Sequence, residues 1–173
     1  NEEDWARIEA SVLEFDSKEA AKDYFVRDYM PHRELLKERC LFVRDPQGVA
    51  VATATAWFAV SVLGYQPSLH WVGVTPSSQG LGLGKKIIQQ ATRLFCRTDP
   101  ALDVFLHTQT WSYKAVKIYH QLGYRMLRQQ QVAVMSNGAA GTQIAPNEFE
   151  QALSVLEGVL DRETVSALRE RAV

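Results

Sequence analysis

The chain has 173 residues, of which 46% are apolar and 23% charged, with a net charge of −1. This suits one domain with a full core and the composition of an ordinary water-soluble globular protein. With so near-neutral a balance nothing argues for a polyanion-binding surface such as one for nucleic acid, and no apolar run approaches the roughly 18 residues that cross a membrane. The two cysteines, Cys40 and Cys96, form no motif and sit in apolar stretches, so buried free thiols in a reducing cytoplasm are expected. The opening NEEDWARIEA has none of the marks of a signal peptide, and a start on Asn1 rather than Met points to upstream residues cut away or left out.

In chain order, Trp5, Ile8, Val12 and Phe15 recur at helical spacing. Asp16 with Glu19 resembles a capping box opening a second helix, which Pro31 ends, and a short helix follows over Glu34 to Glu38. LFVR, the turn DPQG and VAVATATAWFAV predict a hairpin, since β-branched and aromatic residues flank a Pro/Gly turn. SVLGYQPS is expected as a loop leading into the strand LHWVGV. Lys85 to Arg97 places Ile87, Ile88, Ala91, Leu94 and Phe95 on one helical face, and DVFLHT reads as a short strand. Ala115, Ile118, Tyr119 and Leu122 mark the next helix, ended by Gly123. YRMLRQQQVAVM is expected to be extended and SNGAAGTQIAP a flexible linker, followed by one or two amphipathic helices over Asn147 to Ala172, with Asp161 as a cap between them. No internal repeat is present, and the pattern is that of an α+β or mixed α/β domain with a helical C-terminal appendage.

Between the strand LHWVGV and the helix after it stands QGLGLGKK. A P-loop needs four residues between its first Gly and Gly-Lys, followed by Ser or Thr; here only three intervene and Lys86 follows Lys85. The dinucleotide fingerprint G-x-G-x-x-G fails as well, because the run reads G-x-G-x-G and comes too late for a first strand. Gln-x-x-Gly-x-Gly does fit, as Gln79, Gly82 and Gly84. Glycines there let the backbone approach an anion, and the amides of a helix's first turn bind it, a nest suited to pyrophosphate without metal.

Some 30 residues on, WSYKAVKIYHQLGYR carries Ala115, Tyr119, Gly123 and Tyr124. Together with WVGVTPSSQGLGLGKK, it closely resembles the GNAT superfamily of acetyl-CoA-dependent N-acetyltransferases, over about Leu41 to Met135. The resemblance implies a GNAT-like bent mixed β-sheet flanked by helices, its parallel fourth and fifth strands splayed to admit the pantetheine arm of acetyl-CoA. It implies a GNAT domain over 1–135 and a linker and helical extension over 136–173. On the same resemblance, Trp71 to Val74 end the fourth strand at a bulge, with Val72, Gly73 and Val74 along pantetheine and the Val74 amide facing the thioester oxygen. Gln79, Gly80, Leu81, Gly82, Leu83, Gly84 and Lys85 would wrap the pyrophosphate, and Tyr119 would protonate the departing CoA thiolate.

The chain also departs from that pattern. Ser112 stands where the family often has a cofactor-contacting Asn, and LHWVGV holds no carboxylate base. Strand alternation puts His70 on the face of Val72 and Val74, making it the candidate to accept the amine's proton; His107 and His120 are weaker candidates. The family's first strand is not evident, nor is a turn between a sixth and a seventh strand. Direct attack of an amine on the thioester requires removal of a proton before attack and protonation of the thiolate after collapse; it requires no metal and no nucleophilic cysteine. The expected partners are acetyl-CoA and an amine acceptor, with neither nucleic acid nor membrane. Three readings remain: a small-molecule amine acetyltransferase, a protein lysine or N-terminal acetyltransferase, and a non-catalytic CoA-binding module. The C-terminal helices either pack on the domain or join a homodimer.

Overall fold

A computed structural model describes residues 1–61, 64–128, 133–136, 142–145 and 147–173. The chain divides into two compact units, Asn1–Ala59 with Tyr65–Leu106, and Val60–Gly64 with His107–Val173.

The first unit opens with α1 (Glu2–Ser11) and α2 (Lys18–Asp28), continues through a 3-10 turn at Met30–His32 into α3 (Arg33–Arg39), and then enters the sheet. The cap of α2 is Ser17, whose hydroxyl accepts from the Ala20 N–H at 3.0 Å, rather than the expected Asp16. Both residue types can cap, and the choice between neighbours is one of register. Glu3 of α1 pairs with Lys18, at 2.6 Å, and with Lys22 of α2. Between these helices lies an aromatic core of Trp5, Phe25 and Tyr29, with Phe15, Tyr24, Trp57 and Trp71 packed against it.

α1 ends in a Schellman motif, Leu13 N–H bonding Ala10 O and Glu14 N–H bonding Glu9 O, both at 3.2 Å. Its left-handed position, normally a glycine, is Leu13 at φ 65°, with the side chain 89% exposed.

The sheet has the order β1-β2-β3, with β1 at Cys40–Arg44, β2 at Ala50–Ser61 and β3 at Gly64–Val74. β1 and β2 are antiparallel, Leu41 opposite Ala54 and Phe42 opposite Thr53. Their turn closes as expected: Gly48, at φ 84°, donates to Asp45 O, and Asp45 Oδ1 accepts from the Gln47 and Val49 amides. The expected loop over Ser61 to Ser68 is a correction, because β3 already begins at Gly64; residues 62–63 lie outside the described residues. α4 (Leu83–Thr98) starts two residues before the expected Lys85 and buries Ile87, Ile88, Ala91, Leu94 and Phe95 against the sheet side. Cys40 is half-buried, but Cys96 is exposed: adjacent to Phe95 in sequence, it points about 100° away around the helix. At the end of α3, buried Arg39 bonds Asp99 at 3.0 Å and lies 4.3 Å above the Phe58 ring.

DVFLHT contributes one parallel bridge instead of a strand. Phe105 pairs with Ser68, giving to Pro67 O and taking from the Leu69 N–H, both at 2.9 Å, and beyond Phe105 the chain leaves strand geometry. This single contact is the parallel neighbour of β3.

The second unit holds a 3-10 turn at Thr110–Ser112, α5 (Tyr113–Gln121), β4 (Ala133–Ser136), β5 (Thr142–Ala145), α6 (Phe149–Leu156) and α7 (Arg162–Glu170). Gly123 ends α5 at φ 94° in a Schellman motif, with Tyr124 N–H bonding Tyr119 O. Two expectations are corrected here. Tyr124 to Arg128 is not strand, and Thr142–Ala145, expected within a flexible linker, forms β5, antiparallel to β4 with Val134 opposite Ile144. That pair supplies the late hairpin not evident in the sequence; residues 129–132, 137–141 and 146 lie outside the described residues. Val116 packs with Phe149, Leu153, Leu156, Val165 and Leu168, and Asp161 caps α7 through the Thr164 N–H at 2.8 Å, as expected.

Candidate active site

β3 leads into the glycine turn through a 3-10 turn at Pro76–Ser78. Gly80 and Gly82 have φ of 80° and 75°, and Gly82 is the residue from which α4 springs. A Cβ at either would meet nothing within 4 Å, so glycine is required by the backbone twist, and the turn faces open space. Leu83, Gly84 and Lys85 form the first turn of α4, where amides have no acceptor inside the helix and the helix dipole adds partial positive charge. Lys85 and Lys86 are exposed beside them. This donor set fits the phosphates of acetyl-CoA. Gln79 does something the spacing did not disclose: its Nε2 donates to Val74 O at 3.1 Å, tying the turn to the end of β3.

β3 is kinked in mid-strand, where Trp71 takes φ 48°. His70 and Trp71, adjacent in sequence, both face α1 and α2. His70 Nδ1 lies 3.4 Å from Tyr29 Oη, and the Trp71 ring is 4.9 Å from Phe15 and 5.1 Å from Tyr24. Two consecutive side chains on one face are the mark of a bulge. The bulge overturns the alternation argument for His70: that residue shares a face with Trp71 and Gly73, and Val72 and Val74 fall on the other. Burial raises the Tyr29 hydroxyl pKa well above its ordinary value, so Tyr29 keeps its proton beside His70.

The Cβ direction of Gly73 is filled by α1. A side chain begun there would come within 2.8 Å of Glu9 Oε1 and 2.9 Å of Ile8 Cγ2. Glu9 is fully buried, and neither carboxyl oxygen has a hydrogen-bond partner among the described residues. Burial first, and the charge of Glu14 second, push its pKa up to about 8. Trp5, one turn earlier on α1, has a buried Nε1 in the same unpartnered state. The sequence reading missed Glu9, although a signal was present: at four residues from Trp5 and next to Ile8, it is an acid on the apolar stripe of the helix. The family resemblance implies a bulge at this place, whereas the residue types alone carry no signal for the twist at Trp71.

The other predicted residues belong to the second unit. Tyr119 is half-buried on α5, its ring 5.8 Å from that of Tyr124. Ser112 sits at the N-cap of α5 without a side-chain cap bond. His107 is exposed yet crowded enough for desolvation to lower its pKa; in His120 desolvation and then the charge of Arg171 do the same. Trp57, in the first unit, packs against the aromatic core. Among the described residues no group of three or more His, Cys, Asp or Glu is placed to hold a metal, and no helix is long and apolar enough to cross a membrane.

No match was found among curated proteins. Solved structures similar to this chain include a GCN5-related N-acetyltransferase from Sphaerobacter thermophilus, with a TM-score of 0.56 and 24% identity over 72% of this chain and 40% of that one. The chain thus spans less than half the length of that relative. A GCN5-related N-acetyltransferase from Ralstonia eutropha JMP134 gives 0.55 and 19% identity over 79% of this chain and 91% of its own. Glucosamine-6-phosphate N-acetyltransferase from Arabidopsis thaliana gives 0.51 and 14% identity over 76% and 88%. At these identities the likeness establishes the mixed α+β fold. The sequence itself matches the acetyltransferase (GNAT) family over residues 4–124, most of its length and both motifs included, and the chain belongs to that family of acetyl-CoA-using acyltransferases.

Proposed function

We propose that this chain moves the acetyl group of acetyl-CoA to a primary amine of a small molecule, by direct attack in a ternary complex in the cytoplasm. The observation that carries this reading is the sequence of devices along β3: a bulge at Trp71, then a positive-φ glycine turn delivering the first amides of α4. Bound there, acetyl-CoA supplies a thioester carbonyl open to nucleophiles. The chain's part is to orient and to move protons. The amides of the glycine turn and Lys85 hold the phosphates, Val72 and Val74 present backbone groups to the pantetheine, and the Val74 N–H steadies the developing oxyanion. Ser112 adds a hydroxyl contact.

Tyr119 gives its proton to the thiolate; the ordinary phenol pKa of about 10 keeps such a group protonated at neutral pH. His70, hydrogen-bonded to Tyr29, is the histidine this reading leaves as the amine's proton acceptor, although it shares its face with Trp71 and Gly73 rather than with Val72 and Val74. The choice of a small acceptor is supported by the glucosamine-6-phosphate enzyme among the similar structures. α6 and α7, beyond residue 124 where the family match ends, are a C-terminal extension.

The test is a panel of polyamines, amino sugars, amino acids and peptides offered with acetyl-CoA while free thiol is measured. Turnover on a small amine supports the reading, turnover confined to peptides converts it to a protein acetyltransferase, and CoA binding without turnover reduces it to a binding module. In the active case Tyr119→Phe keeps the ring and removes only the proton, so kcat falls by about 10²–10⁴ with acetyl-CoA affinity retained. Unchanged kcat, with chemistry rate-limiting, removes Tyr119 from the mechanism.

A further inference from the structure

We propose that Glu9, on α1, is the group that takes the acceptor amine's proton, its carboxyl meeting the ammonium beside Gly73 of β3. The proposal rests on the acetyl-transfer reading above and assigns the base that reading leaves on His70.

The described side chains of β3 include no acid, so a carboxylate at that strand must come from another element. Glu9 is placed to supply one. Its Oε1 occupies the position that a side chain at residue 73 would take, against the backbone between Val72 and Val74, the residues assigned to the thioester. An alanine there would already collide with Oε1 at 2.8 Å, so the glycine is what admits the acid. Both oxygens are buried and without partners among the described residues, a state that costs free energy in a folded chain and calls for a role. Neither a cap nor an ion pair accounts for it.

His70 is less well placed. Its Nδ1 is turned to the hydroxyl of Tyr29, which suits a residue that positions the helix–strand contact. The ionisable groups that bear on Glu9 are Glu14 after α1, Tyr29 from α2 and Cys40 from β1. None brings a positive charge. An arriving ammonium is the cation this cluster lacks.

In the empty chain, burial keeps Glu9 protonated near neutral pH, its pKa at about 8. Ammonium binding expels that proton to solvent. The carboxylate then takes one proton from the ammonium nitrogen, and the freed lone pair forms the C–N bond at the thioester carbonyl. The C–S bond breaks with its electrons going to sulfur, and the second nitrogen proton goes to the thiolate. Glu9, now carrying the proton it took from the ammonium, is back in its resting state, and the proton expelled on ammonium binding is the one that the overall reaction releases.

The experiment compares wild type, Glu9→Gln and Glu9→Asp on an amine that the wild type acetylates, with kcat/KM for the amine measured from pH 6 to pH 10 at saturating acetyl-CoA. Circular dichroism and acetyl-CoA titration check each fold. Expected are a wild-type rise centred near pH 8, a loss of about 10²–10⁴ with that rise abolished in Glu9→Gln, and partial recovery in Glu9→Asp, whose acid is one methylene short. Glu9→Gln folded and binding acetyl-CoA, with wild-type kcat/KM and the same rise, overturns the proposal and leaves the transferase reading intact. A wild type that acetylates nothing overturns both. If Glu9→Gln does not fold, Glu9→Asp decides alone: an unshifted profile at full rate overturns the proposal, and a lowered rate with a displaced rise supports it.

Discussion

Glu9→Gln should make the protein more stable while it disables it. A carboxyl held at about 8 in the folded chain and at the ordinary 4.5 in the unfolded one makes folding progressively less favourable as pH rises between those values. Below 4.5 both states carry the proton and nothing is lost; between the two values only the folded state keeps it; above 8 the whole penalty is in force. At about 1.36 kcal/mol per pH unit, the interval corresponds to about 5 kcal/mol at pH 8 and above, and about 3 kcal/mol at pH 7. Glutamine has nearly the same shape and no charge to lose, so it escapes this term. The assay is urea denaturation of both proteins at pH 4.5, 7 and 9, followed by tryptophan fluorescence, since Trp5, Trp57 and Trp71 all belong to the cluster around α1. The two should coincide at pH 4.5 and diverge upward in favour of the variant. Taking the difference between the proteins cancels other titrating groups, such as Cys40, whose thiol is pushed up to about 11. Parallel curves across the range would mean that Glu9 is solvated or paired, and the reasoning fails.

Gly82→Val places a β-branched residue at φ 75°, which costs the fold about 1–2 kcal/mol and blocks the backbone's approach to the phosphates. Calorimetry should show acetyl-CoA affinity falling by at least tenfold, and unchanged affinity would put the cradle elsewhere. Leu13→Gly relieves a left-handed leucine whose side chain is 89% exposed and so packs on little. The relief of about 1–2 kcal/mol is partly offset by the freedom glycine has when unfolded, so a net gain of about 0.5–1 kcal/mol and a melting temperature a few degrees higher are expected. A lower melting temperature would show that Leu13 makes a contact its exposure conceals.

Where a structural requirement lies in residue type at short range, the sequence displays it. The five apolar positions of α4, the DPQG turn, the Gly123 stop and the Asp161 cap are such cases, and each appears where local chemistry puts it. The glycine turn belongs with them, because two left-handed backbones in three residues need glycines whatever surrounds them. What stayed hidden depends on distant partners. Thr142–Ala145 is a strand because Ala133–Ser136 lies beside it, and four residues flanked by glycines and polar side chains advertise no such pairing. The resemblance placed a bulge at Trp71 to Val74, but which residue twists, and that His70 and Trp71 thereby share a face, depends on the packing of both onto α1 and α2. Glu9 was legible as an anomaly on an apolar stripe and illegible as a site, because its meaning depends on a glycine 64 positions away.

That pairing also has an evolutionary consequence. Positions 9 and 73 share a single volume, so a chain of this fold can change one only within limits set by the other. A lineage that acquires a side chain at 73 must first shorten residue 9, and in doing so surrenders the buried acid. Loss of the glycine would therefore mark, in a diverging gene, the point at which the acceptor's proton came to be handled by another residue.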